Sequence, residues 1–114
     1  MEKIIEELKK MHCDVEGAME RFLDDYDLYG VCLESLVSDP SFVELGVALS
    51  ENDAEKAFEN AHTLKGIIGN MGLTPMLKIV EQIVEPLRKG ELDGLMPLYD
   101  QLILENEKIK ALIG

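Results

Sequence analysis

The sequence predicts an all-α protein, folded as an antiparallel up-and-down four-helix bundle with an additional N-terminal helical segment. Apolar residues recur every three or four positions through most of the chain, as they do along one face of a helix. No segment shows the convincing polar and apolar alternation of a strand, and the connections are short, which favours antiparallel neighbours. The chain has 114 residues, which is the usual length of one domain, so we expect positions 1–114 to form a single domain around one core.

The first part of the chain is predicted to contain several short helices. EKIIEELKKM is amphipathic, and Asp14 is suited to cap a short helix through VEGAMERFL. A further helix runs from about Asp27 to the SDP sequence at 38–40, where Pro40 disfavours helical geometry at the preceding residue. SFVELGVAL resumes the helical pattern beyond that break.

The central helix is predicted within SENDAEKAFENAHTLKGIIGNMG. Asn52 is a plausible N-cap, and Glu55 three positions later gives a variant of the capping box. Gly72 is suited to the left-handed position that follows a helix C-terminus. We therefore expect one long helix between Asn52 and Gly72.

Two helices are predicted after the central one. Thr74 and Pro75 provide a cap and a first turn, and Pro86 is expected to kink that helix or to end it early. After the KGELDG connection, LMPLYDQLILENEKIKALI forms a terminal amphipathic helix, with Pro97 tolerated near its start.

Composition excludes several classes of function. Twenty-three acidic against eleven basic residues give a formal charge of −12, which argues against binding to nucleic acids or anionic membranes. No apolar run of about 18 residues and no secretory leader are present, so we expect a cytoplasmic protein. Cys13 and Cys32 lack CxxC spacing and are expected to be reduced thiols, while His12 beside Cys13 is interpreted as incidental.

On a helical wheel, the central helix places one histidine outside its apolar face. The predicted core stripe consists of Ala54, Ala57, Phe58, Ala61, Leu64, Ile68 and Met71. His62 falls about 120° from the centre of that stripe. Lys65, Gly66 and Gly69 lie beside it at i+3, i+4 and i+7. The imidazole is therefore predicted on an exposed flank, next to a positive charge and two positions without side chains.

The two glycines require an explanation, because a glycine in a helix interior lowers the stability of the helix by about 1 kcal/mol relative to alanine. One explanation is that another helix of the same bundle crosses closely at Gly66 and Gly69. The other is that a second protein docks over His62. The sequence alone leaves both explanations open.

The chemistry available to this flank is nucleophilic. A lone histidine is ordinarily a solvated side chain, but a neutral imidazole also carries a free lone pair that can attack phosphorus. Phosphoryl transfer needs mainly positioning and charge neutralisation, and Lys65 is one turn from His62. No zinc-protease motif, phosphate-binding loop or recognisable serine or cysteine nucleophile motif is present.

The pattern A-H-x-L-K-G-x-x-G-x-x-G at 61–72 resembles the signature of the histidine-containing phosphotransfer (HPt) domain. FLDDYDLYGVCLESLVSDPSFVELGVAL before it is also similar to the helix that precedes the phosphorylated histidine in stand-alone members. The resemblance covers most of the chain. It implies a four-helix bundle whose exposed histidine accepts a phosphoryl group from one receiver domain and passes it to another.

The resemblance also implies roles for individual residues. His62 becomes the phosphoacceptor, Lys65 its electrostatic helper, and Gly66 and Gly69 the clearance for a docking partner. Family members often place a glutamine on the next helix to orient the imidazole, whereas the aligned residue here is Val84. The residues that remain as candidates for that role are Glu81, Gln82 and Glu85.

The implied partners are response-regulator receiver domains, with a hybrid histidine kinase as a further candidate. The protein is expected to be a monomeric phosphocarrier without an ATP site or a cofactor of its own, and Mg²⁺ is expected in the partner receiver. Two alternatives remain at this stage. The fold could serve only as a protein-interaction module, or the chain could be a fragment of a larger histidine kinase, which the lack of a nucleotide-binding segment disfavours.

Overall fold

The structure is a computed structural model that describes residues 1–114 as seven α-helices without a β-strand. The helices are α1 (Glu2–Lys10), α2 (Val15–Arg21), α3 (Tyr26–Val37), α4 (Ser41–Ser50), α5 (Ala54–Asn70), α6 (Thr74–Arg88) and α7 (Leu95–Ile113). The predicted all-α fold class is confirmed. None of the seven helices has the length and apolar character needed to cross a bilayer.

Helix α5 lies between α4 and α6, and α6 packs in turn against α7, which also touches α3 and α4. Two contacts show that α5 and α6 run antiparallel. Gly69 near the end of α5 lies opposite Leu77 near the start of α6, whereas Phe58 near the start of α5 lies opposite Arg88 at the end of α6. Twenty-seven buried apolar residues form one core cluster between the helices.

The N-cap of α5 is Asp53, so the expectation for Asn52 was wrong. The Asp53 carboxylate accepts a 3.1 Å hydrogen bond from the Lys56 backbone N–H. Asn52 instead occupies the preceding turn with a left-handed φ of 57°, a conformation that asparagine tolerates better than most residues. Two adjacent residues had suitable side chains, and the turn geometry decided which one caps the helix.

The other predicted helix signals have mixed outcomes. Asp14 caps α2 by accepting a 3.1 Å hydrogen bond from Gly17 N–H, as expected. Thr74 is the first helical residue rather than the cap, since Leu73 occupies the cap position of α6. Pro86 does not end α6, which continues to Arg88. A proline this close to a C-terminus removes a single hydrogen bond from the last turn.

The N-terminal helices bind the C-terminal end of α5. Arg21 of α2 donates from Nε to the Asn70 carbonyl and from Nη2 to the Gly69 carbonyl, each at 3.1 Å. The buried hydroxyl of Tyr29 in α3 donates a 2.8 Å hydrogen bond to the Met71 carbonyl. The Asn70 and Met71 carbonyls have no backbone donor, so these bonds supply the partner that a helix terminus lacks, whereas the Gly69 carbonyl also accepts from the Gly72 N–H. Together the bonds fix the end of α5 in place.

Candidate functional site

His62 lies on an exposed flank of α5, as the helical wheel predicted. Its neighbours Ala61 and Leu64 are fully buried, while the imidazole is exposed. The predicted core stripe is confirmed for five of its members, Ala57, Ala61, Leu64, Ile68 and Met71. Ala54 and Phe58 are only half-buried, because they lie at the edge of the stripe.

The imidazole of His62 stacks on the ring of Phe58, one turn earlier on the same helix. The two ring centroids are 5.5 Å apart and the planes are inclined by 29°. The guanidinium carbon of Arg88, from α6, lies 5.3 Å from the centroid of the Phe58 ring. No group of the protein hydrogen-bonds to either nitrogen of the His62 ring. Both nitrogens are therefore available to an incoming reactant.

Lys65 lies one turn after His62 and is half-buried. The four ion pairs of the protein do not include it, so no carboxylate within 4.0 Å neutralises its ammonium group. A long lysine side chain can bury its stem while its charge remains in solvent. Lys65 thus contributes an unpaired positive charge on the helix that bears the imidazole.

Gly66 faces open solvent. A Cβ atom built at this position would have no heavy atom of the protein within 4 Å, outside the backbone of its own helix. No other helix of the protein crosses α5 here, so helix crossing does not explain this glycine. The surface one turn beyond His62 is free for the approach of another molecule.

Gly69 has a different environment from Gly66. A Cβ atom here would lie 3.6 Å from Leu77 Cδ1, an ordinary van der Waals contact between α5 and α6. The Gly69 carbonyl also accepts the hydrogen bond from Arg21. Gly69 therefore lies where α5 meets α6 and α2, rather than over open space.

The residues considered for orienting the imidazole are on α6. Val84, where the HPt resemblance implied a polar residue, is fully buried. Glu81 is half-buried, and Gln82 and Glu85 are exposed, but none of the three hydrogen-bonds to His62. Glu85 instead forms a 3.7 Å ion pair with Arg88.

Sequence reasoning missed the contacts that Phe58 and Arg88 make at this site. Phe58 was assigned to the core, although its position four residues before His62 already placed the two rings on one side of the helix. No local signal could identify Arg88, because its contact with Phe58 depends on how α6 packs against α5. His12 has no comparable surroundings and lies after α1 with a left-handed φ of 65°.

The arrangement suits transfer of a phosphoryl group to or from a side chain. The site combines an exposed imidazole, an unpaired lysine one turn away and an open surface over Gly66. The lone pair of a ring nitrogen supplies the nucleophile, and the lysine charge can offset the negative charge of phosphoryl oxygens. Phosphoryl transfer depends mainly on such positioning and charge neutralisation.

Comparison with known proteins also indicates phosphoryl transfer. The family model of the Hpt domain matches residues 27–112. The crystal structure of histidine-containing phosphotransfer protein B from Pseudomonas aeruginosa PAO1 is similar, with a TM-score of 0.78 and 28% sequence identity over 90% of each chain. No curated protein sequence matches the chain significantly. With most of its length matched, the chain belongs to the Hpt domain family, which carries phosphoryl groups on histidine in phosphorelays.

Proposed function

We propose that His62 is the residue that carries the phosphoryl group. A ring nitrogen attacks the aspartyl-phosphate of a receiver domain, forming the N–P bond while the P–O bond to the aspartate breaks. Transfer to an aspartate of a second receiver reverses these bond changes. The observation that carries the proposal is the exposure of His62 beside the open surface at Gly66.

The neighbouring residues have supporting roles in this proposal. Lys65 neutralises charge on the phosphoryl oxygens, and its lack of a carboxylate partner leaves it free to do so. Gly66 and Gly69 allow a receiver to approach α5. The open space over Gly66 supports this role directly, whereas a Cβ atom at Gly69 would meet Leu77 of α6 at 3.6 Å, so the support for Gly69 is only its place two turns beyond His62 on the same helix.

The proposal extends to the setting in which the protein acts. Helices α4 to α7 form an up-and-down bundle that carries the site, and α1 to α3 add to it at the N-terminus. The protein works as a cytoplasmic monomer that meets response-regulator receivers and a hybrid histidine kinase. It needs no cofactor of its own, since the receiver supplies the Mg²⁺ that assists transfer.

Transfer of label from phosphorylated receiver domains tests the assignment of His62. The protein is incubated with a panel of receivers carrying radioactive phosphate, and the label is followed into the protein. We expect an acid-labile, base-stable phosphate in the wild type and in His12→Gln, and none in His62→Gln. Circular dichroism verifies that both variants fold. Label that persists in His62→Gln would place the phosphate on another residue, and receiver binding without transfer would indicate an interaction module.

A further inference from the structure

The orientation of the His62 ring is not set by any hydrogen bond within the protein. Glu81, Gln82 and Glu85 make no hydrogen bond to it, and Val84 is buried and apolar. The χ2 torsion of a histidine is broad, so an exposed imidazole without a partner samples many ring orientations. A different contact must restrict the ring if its nitrogen is to meet a phosphorus atom in line.

Phe58 provides such a contact. Its ring lies 5.5 Å from the imidazole with the planes inclined by 29°, which is within the range of a favourable offset stack. Rotation of the imidazole about χ2 would break this near-parallel arrangement. The stack therefore favours a small set of ring orientations.

The Phe58 ring is itself held from two sides. It packs against the core cluster, and the Arg88 guanidinium lies over it at 5.3 Å, within the distance at which a cation is attracted to an aromatic face. Arg88 is in turn paired with Glu85 at 3.7 Å. A ring fixed by both α5 and α6 can act as a platform for its neighbour.

We propose that Phe58 is a positioning residue for phosphoryl transfer at His62, acting by stacking against the imidazole. This inference rests on the proposed role of His62. Because the stack acts on the ring before the chemical step, its loss lowers the rate at saturating receiver concentration. A residue that merely contacted the docked receiver would instead change the concentration needed for half-maximal rate.

Nuclear magnetic resonance tests the stack without any transfer reaction. The protein has two histidines, so His12 is an internal control for His62. Ring protons that lie over an aromatic face are shifted upfield by its ring current. We expect this shift at His62 in the wild type and in Phe58→Tyr, and its loss in Phe58→Leu, with His12 unchanged. Wild-type His62 signals without an upfield shift relative to His12 would overturn the proposal even if Phe58→Leu failed to fold.

Single-turnover kinetics test the functional consequence. For Phe58→Leu we expect the saturating transfer rate to fall by roughly three- to tenfold, the equivalent of one favourable aromatic contact. The half-saturating receiver concentration should stay constant, and Phe58→Tyr should restore the rate. Phe22→Leu is the matched control, since it removes another half-buried ring, the one that packs edge-on against Tyr29 at 5.3 Å.

A small phosphodonor separates failure of this inference from failure of the proposed function. Phosphoramidate can phosphorylate an accessible imidazole without a receiver. If the wild type reacts with phosphoramidate at His62 but with no receiver, the proposed relay role of His62 is wrong. The role of Phe58 is then still tested by the upfield chemical shift of His62 and by the rate of reaction with phosphoramidate. If Phe58→Leu matches the wild type in saturating rate with either donor, Phe58 does not position the ring and the inference is wrong.

Discussion

The backbone N–H of Asp14 donates a 2.8 Å hydrogen bond to the carbonyl oxygen of Gly72. This bond joins the start of α2 to the turn after α5. Gly72 adopts a left-handed φ of 73°, and a Cβ atom there would collide with the Asp14 carbonyl oxygen and lie 3.1 Å from the Ala18 Cβ. Gly72 therefore lies at a contact between two parts of the fold, whereas Gly66 faces solvent.

Gly72→Ala is expected to destabilise the protein by roughly 2 to 5 kcal/mol. The left-handed conformation accounts for about 1 to 2 kcal/mol of this loss and the collision with Asp14 for about 1 to 3. Urea denaturation measures the change. Gly90→Ala is the matched control, because Gly90 has a φ of 77° with nothing within 4 Å of its Cβ position. Equal losses in the two variants would show that the Asp14 contact adjusts without cost.

The helices of this fold could be predicted because their signals are local. Apolar spacing at three and four residues specifies which face of a helix is buried, and single residues such as Asp14 and Gly72 mark helix ends. These local signals were ambiguous at the start of α5, where either of two adjacent residues could be the N-cap. Asn52 and Asp53 are both good caps, and only the backbone conformation of the turn distinguishes them.

The site could be predicted as far as one helix determines it. The wheel placed His62, Lys65 and Gly66 on one flank, since their relative positions follow from the sequence spacing. It also grouped Gly69 with Gly66, although Leu77 of α6 faces only Gly69. Contacts such as Arg88 over Phe58 arise from packing between helices, and the spacing within one helix carries no information about them.

The free energy of unfolding is expected to fall more steeply above pH 9 in the wild type than in Cys13→Ala, because the Cys13 thiol ionises less readily in the folded state. Burial is the main cause that raises the pKa of its thiol from 9.0 to about 11, the nearby Glu105 carboxylate adds to this, and a hydrogen bond with the Thr74 backbone opposes it. Since the folded-state pKa lies above the unfolded value, the thiol stabilises the fold fully below pH 9. That contribution is lost as pH rises to about 11.

Denaturant melts of the wild type and Cys13→Ala between pH 8 and 11 measure this contribution. The free energy of unfolding should fall more steeply with pH in the wild type, whatever constant offset the substitution introduces. Groups remote from Cys13 that titrate in this range are common to both proteins and cancel in the comparison. Tyr29 differs slightly, because burial raises the pKa of its hydroxyl in both proteins and the Cys13 charge raises it further only in the wild type. Parallel curves would mean that the Cys13 thiol ionises equally in the folded and unfolded states.

Lys65→Ala should slow phosphorylation of His62 with little change in melting temperature. Lys65 forms no ion pair, and a surface charge contributes at most about 1 kcal/mol to folding. Its ammonium group, one turn from His62, is available to phosphoryl oxygens. Lys56→Ala is the control, because Lys56 is exposed on the same helix at about 120° around the axis from His62. A sharp fall in melting temperature with an unchanged rate per folded molecule would assign Lys65 a structural role.

Substitutions of Gly66 are expected to separate stability from docking. Gly66→Ala should stabilise the free protein by up to about 1 kcal/mol, because alanine reduces the entropy of the unfolded chain and the Cβ atom meets nothing within 4 Å. Gly66→Gln should remain folded, since its longer side chain also extends into solvent. The same side chain should obstruct a receiver that approaches His62.

Labelling with two donors tests the docking role of Gly66. Phosphoramidate is small enough to reach His62 past a glutamine at position 66, so its labelling of Gly66→Gln should match that of the wild type. A receiver covers a larger surface, so transfer from a phosphorylated receiver should be lost in this variant and at least partly retained in Gly66→Ala. If receiver transfer to Gly66→Gln equals that to the wild type while denaturant melts show both proteins folded, the partner does not approach over Gly66 and this glycine has another role.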